Sequence, residues 1–143
     1  MRAIIAKKRE RIVAFLADFI IYLSIFMLFL FLWGEPNYER NGYQVTGFPA
    51  FFLFLIGIIL WPISESMFGQ TIGKRLIGIR VLNGKNYKHL SFGQAFIRFI
   101  FGYIDIILFI GLIVASTNKE NKRIGDYVAK TVVIDLDKSR TRI

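Results

Sequence analysis

An arginine and an aspartate seven positions apart stand at the head of the first apolar run of this chain: Arg11 and Asp18 in RIVAFLAD. That spacing is close to two helical turns, so both side chains fall on one face, about 10 Å apart along the axis. Asp18 is followed by fifteen uncharged residues, FIIYLSIFMLFLFLW, which places it about a third of the way into a hydrocarbon layer. Holding an ionised carboxylate there costs on the order of 2.5–3.5 kcal/mol. The group must be protonated, paired or open to water. The Arg11 side chain reaches part of the gap, and Tyr22, four residues on from Asp18 on the same face, can offer its hydroxyl. Two chemistries fit. One is a proton- or cation-binding carboxylate whose pKa is set by burial against the guanidinium. The other is a structural ion pair that fixes helix packing.

The spacing recurs as Arg98 and Asp105 in RFIFGYID, although the two windows share no other identical residue. In the plain reading each arginine anchors the inner end of its segment and each aspartate points into the bundle. Glu65 and Asp105 are the further candidates to complete an ion- or proton-binding site with Asp18. Other chemistries lack their parts. There is no cysteine and one histidine, His89, so a zinc site and a Ser-His or Cys-His nucleophile have no set of members. GQTIGKRLIG has three residues between its glycines and Arg75 after Lys74, which fails the phosphate-loop pattern. No enzymatic activity and no cofactor are expected.

These residues sit among contiguous apolar runs. Of 143 residues 55% are hydrophobic and 15 are Phe, more apolar surface than a soluble domain of this size can bury. Residues 12–33 and 48–68 are each long enough to span a core of ~30 Å. Gly34 and Pro36 end the first run, and Pro62 kinks the second or opens its backbone. The formal net charge of +9 comes from residues flanking the runs. It therefore reads as topology and headgroup contact rather than nucleic-acid binding.

The loop 69–94 carries Lys74, Arg75, Arg80, Lys85 and Lys88 and no acid; Lys74, Arg75 and Arg80 are expected to face lipid headgroups or an acidic partner. Within it, RLIGIRVL and KNYKHL flank Asn83-Gly84, the strongest two-residue hairpin signal, and predict a small β-hairpin. KTVVIDL, residues 130–136, predicts another short strand. The basic N-terminus and loop 69–94 belong in the cytoplasm, and loop 34–47, with one Arg and two Glu, outside. The third apolar stretch, residues 95–116, is harder to place. A simple span would put the basic tail, residues 117–143, on the outer side against the charge rule. With Gly102, Asp105 and Gly111 inside it, a broken, re-entrant or interfacial element is favoured over a third span.

Several blocks in order now show a resemblance. RIVAFLADFIIY, GQTIGKRLIGIRV, SFGQAFIRFI and RIGDYVAKTVVI together resemble the RDD family of small, mostly bacterial membrane proteins, over roughly residues 8–135. The resemblance implies that Arg11 is the family arginine at the head of the first helix. Asp18 would be the first family aspartate and Asp126 the second. The family usually has Gly before the Thr-Val-Val of the last block, where this chain has Lys130. The resemblance further implies largely unknown function, with some members described as sodium- or potassium-for-proton antiporters. Asp126, beside Arg123, is expected to meet Arg75 or Arg80 of the basic loop and tie the tail strand to the hairpin.

The expectation is therefore an all-α integral membrane protein of one domain. It has two transmembrane helices, a third apolar segment that is broken, re-entrant or spanning, and a small cytoplasmic β element. It would sit in the cell membrane, multi-pass, with the N-terminus cytoplasmic. Cation/proton exchange through Asp18, with Na+, K+ or H+ as ligand, stands beside a non-transporting scaffold or accessory subunit with structural ion pairs. Two or three helices cannot enclose a pathway, so transport requires a homo-oligomer or a membrane-protein partner.

Overall fold

A computed structural model describes residues 4–108 and 122–136 of the chain. Helix α1 spans Lys8–Trp33, and at ~1.5 Å per residue its 26 residues reach about 39 Å. The Glu10 carboxylate accepts the Lys7 N–H at 2.7 Å and holds its first turn. A short hairpin follows, β1 (Glu35–Asn37) and β2 (Gly42–Gln44), where the sequence suggests only a turn-rich loop. Helix α2, Gly47–Ile58, runs into a π-helical turn at Ile59–Ile63 and then α3, Ser64–Phe68. The π turn carries Pro62, whose missing N–H breaks the α register, as expected of that proline. The Ser64 hydroxyl donates to the Ile59 carbonyl at 3.0 Å.

Lys8–Trp33 and Gly47–Phe68 are both long and apolar enough to cross a membrane. Their burial is inverted relative to a soluble protein. The buried residues of α1 are Arg11, Ala14 and Asp18, while Ile20, Met27 and Phe31 are exposed. Phe48, Phe51 and Phe54 of α2 are exposed as well. That distribution suits a helix whose solvent is hydrocarbon and whose polar groups face protein.

Gly69 ends α3 in the left-handed conformation, its N–H bonded to the Glu65 carbonyl at 2.9 Å. Any Cβ on Gly69 would lie 2.7 Å from the Val81 carbonyl oxygen, so this position admits β3 against the helix end. Helix α4, Ile72–Ile77, is capped by Thr71, whose hydroxyl accepts the Lys74 N–H. It packs across α1 so closely that a Cβ on Gly73 would fall 2.1 Å from the Ala14 carbonyl oxygen. The glycines of GQTIG thus serve tight approach rather than phosphate binding.

Strand β3, Ile79–Asn83, does not fold back on KNYKHL. It pairs antiparallel with β4, Thr131–Asp135, in the register Val81↔Val133. The Asn83-Gly84 signal is spent on a different turn: the Tyr87 N–H bonds the Asn83 carbonyl, and the Gly84 N–H bonds the Lys130 carbonyl. KNYKHL has little apolar surface to bury, whereas every residue of β4 is buried. The N-terminal segment flanks β4 on its other side, the Ala6 N–H donating to the Val133 carbonyl and the Asp135 N–H to the Ile4 carbonyl. Ala6, Ala14, Ile79, Val81, Leu90 and Val133 form the small apolar core beneath.

Helix α5, Phe92–Leu108, starts three residues before the predicted segment. Ser91 and Gln94 form a reciprocal cap: the Gln94 N–H donates to the Ser91 hydroxyl at 3.3 Å and the Ser91 N–H to Gln94 Oε1 at 3.1 Å. Over the described part the segment is an unbroken helix; residues 109–116 of the predicted stretch lie outside the described residues. Helix α6, Ile124–Val128, sits on α5, with Gly125 against Arg98 and Phe101. The tail therefore comes back to the end of the molecule that holds the N-terminus and β3.

Candidate functional site

Arg11, Asp18, Glu65, Lys74, Arg98 and Asp126 converge where α1, α3, α4, α5 and α6 meet. Arg11, at the head of α1, does not pair with Asp18. Its guanidinium bonds Asp126 Oδ2, which also accepts the Arg123 N–H at 3.0 Å and so caps α6. Asp126 Oδ1 takes the guanidinium of Arg98. The expected pairing of Asp126 with Arg75 or Arg80 is replaced by these two arginines. Helices α1 and α5 present their arginines inward on either side of α6, while Arg75 is exposed and Arg80 donates to Gln70 Oε1 at 3.2 Å. Asp126 is 2% exposed, so this junction is buried on both arms.

Arg98 bridges two acids. Its Nε donates to Glu65 Oε2 at 2.9 Å, and its Nη1 also donates to the Thr131 hydroxyl at 2.8 Å, which ties β4 into the cluster. Glu65 takes the Lys74 amine on its other oxygen. Lys74, expected to face lipid or a partner, is turned inward. Burial pushes its ammonium well below the usual lysine range, and the Arg98 charge adds to the effect.

Asp18 lies about two helical turns further along α1 than Arg11. Thr71 Oγ1 donates to its Oδ2 at 2.5 Å and the Gly73 N–H to its Oδ1 at 2.7 Å. The carboxylate is 7% exposed and is held by α4, not by a guanidinium. Tyr22 sends its hydroxyl toward the Leu53 carbonyl at 3.4 Å, across to α2. Asp105 lies on α5, but its side chain is outside the described residues.

Thr71 and Gly73 are not among the candidates read from sequence, and Arg98 is read there only as an anchor of its segment. Thr71 was legible as a cap before an apolar residue, and Arg98 as the repeat of Arg11. Their partners were not, because each contact joins residues far apart in sequence.

A cavity of about 300 Å³ opens within the cluster. Arg11, Asp18, Glu65, Lys74, Arg98 and Asp126 form its charged part, and Phe15, Phe19, Tyr22, Trp61 and Phe99 its aromatic part. Trp61 packs against Tyr22 at 5.2 Å and Phe99 at 6.1 Å between ring centres. Asp18, Glu65 and Asp126 each already hold at least two donors, so an added cation would have to displace a partner. A sequence model of the RDD family matches residues 5–130. No curated protein and no solved structure gave a match.

Proposed function

The chain belongs to the RDD family, and from that premise we propose that it is a membrane-embedded accessory or scaffold protein without catalytic or transport activity of its own. Its buried charge cluster latches a cytoplasmic sheet onto the spanning helices. The observation that carries this is the state of its acids. Asp126 is held by Arg11 and Arg98, Glu65 by Lys74 and Arg98, and Asp18 by Thr71 and Gly73. A carrier carboxylate needs a state in which it is free to take a proton or cation, whereas a latch needs all of them satisfied. In this reading α1 and α2 cross the cell membrane, with the N-terminus, β3 and the tail inside.

Sodium- or potassium-for-proton exchange is the second reading. It is favoured by one observation, that Asp18 and Lys74 line the same cavity. Flux separates the two. The purified protein goes into liposomes holding a pH dye, sodium and potassium gradients are imposed in turn, and wild type is compared with Asp18→Asn at equal incorporation. The accessory role predicts no proton movement in either, with Asp18→Asn less stable by about 1–2 kcal/mol, because the amide offers one acceptor oxygen where the carboxylate offers two and the charge assistance is lost. Proton movement in wild type that vanishes in the variant would replace this reading with exchange.

A further inference from the structure

We infer that α4 is an in-plane membrane helix: Ile72 and Leu76 insert among the lipid chains of the inner leaflet, at the depth of the Ala14–Asp18 turn of α1. The inference rests on the reading that α1 and α2 cross the membrane.

The first ground is the inverted polarity of the helix. Ile72 and Leu76 are one i,i+4 step apart and share a side. They are 44% and 72% exposed. The side toward the protein is the polar one. Thr71 Oγ1 and the Gly73 N–H bond Asp18, and the Lys74 amine bonds Glu65. A helix on the surface of a soluble protein turns its apolar side inward and its polar side out. Helix α4 does the reverse, as α1 does. Arg75, beside Leu76, is exposed, and its stem is long enough to lie along apolar surface while its head reaches the headgroups.

The second ground is depth. Trp33 ends α1 at the outer interface, and a hydrocarbon core of ~30 Å takes about 20 residues of helix. Counted back from Trp33, the inner boundary of the core falls near Ala14. Helix α4 rests at that level, where Gly73 meets the Ala14 carbonyl with no room for a Cβ. Thr71 reaches Asp18, about 6 Å further in along α1. At the same level α1 exposes Val13 and Leu16, and the second spanning helix ends in Met67 and Phe68, both exposed. The apolar surface of the spans therefore continues onto α4.

The third ground is size. The six residues of α4 make a helix about 9 Å long. Two side chains on it fall far short of the roughly 800 Å² per partner that a stable protein interface buries. Lipid sets no such minimum. An interfacial helix buries its apolar side about 5–10 Å into the boundary between headgroups and chains, which is the depth reached here. Seated there, α4 meets the hydrocarbon with Ile72 and Leu76, and covers the Asp18 carboxylate that it bonds.

Depth at single sites tests this. The chain has no cysteine, so Ile72→Cys, Leu76→Cys, Lys85→Cys and Leu23→Cys can each carry one nitroxide label. All four positions are exposed. The labelled proteins are placed at high dilution in liposomes of phosphatidylcholine and phosphatidylglycerol. Relaxation by oxygen, which concentrates in lipid, is compared with relaxation by a water-soluble nickel chelate. Labels at 72 and 76 are expected about 5–10 Å below the phosphates and the label at 85 in water. The label at 23, about 14 Å past Ala14, should lie near the middle of the bilayer. A label at 72 or 76 in water while that at 23 is in lipid overturns the inference and leaves the spans standing. A label at 23 in water overturns the spanning reading of α1, and the inference with it. Labels at 72 and 76 shielded from both relaxants would show that a second copy of the chain covers α4, which also overturns lipid insertion.

Discussion

Asp126 receives two guanidinium groups and a backbone N–H on its two oxygens. Its removal takes away the acid that Arg11 and Arg98 share in a buried site and leaves Arg98 to Glu65. Losing one member of a buried pair costs about 3–5 kcal/mol, so Asp126→Ala should lower unfolding stability by that amount, read as the midpoint of detergent-solubilised thermal or denaturant melts. Asp18 sits among neutral donors, so its loss should be milder. Lys74 sets a pH dependence. Its folded-state pKa lies below the ordinary value near 10.4. Between the two the unfolded chain binds a proton that the folded chain does not, and stability rises with pH across that window. Lys74→Met should flatten this rise in a denaturant midpoint measured against pH.

At the scale of elements, the turn into β4 shows a local cost accepted for a global fit. Lys130 has φ +54°, a conformation that costs a residue with a Cβ roughly 1–2 kcal/mol. The turn is held despite this cost: the Lys130 carbonyl accepts the Gly84 N–H at 2.9 Å and starts the β3–β4 ladder. Lys130→Gly should raise stability by about 0.5–1 kcal/mol, the relief of strain being partly offset by the freer unfolded glycine. An upward shift of the thermal midpoint checks it. Gly73 is the opposite case: its helix conformation is ordinary, and the Ala14 carbonyl oxygen excludes any Cβ there.

For the molecule as a whole, the pairing of β4 with β3 and of the N-terminal segment with β4 gathers three distant parts of the chain at one end. If α1 and α2 each cross once, residues beyond β3 enter α5 and return to the same side by residue 122. Single cysteines introduced into this cysteine-free chain report it. Cysteine at Lys85 and at Lys122 should react with an impermeant maleimide only in inverted or opened vesicles. Cysteine at Glu39, in the β1–β2 hairpin, should react in intact cells. Labelling of the Lys122 position from outside would show a net third crossing.

The sequence by itself determined the properties that depend on short windows. The two membrane-length helices follow from apolar composition over about 20 residues, a break in the second from Pro62, and the family from blocks that recur in order. The β-branched run of 131–135 marked a strand for the same local reason. Sequence also picked out Arg11, Asp18 and Glu65 as charges at or within apolar runs, and Asp126 through the family resemblance. Only the tertiary structure decided which charge meets which. Arg11 and Asp126 are 115 positions apart, and the nearer acid, Asp18, is taken by Thr71 and Gly73 because α4 packs flush against α1. Strand β3 likewise passes over the Asn83-Gly84 hairpin beside it for a partner some 50 residues on. Turn propensity acts locally and is worth little, while burial of the Thr-Val-Val-Ile run is available only once the tail has returned to the sheet.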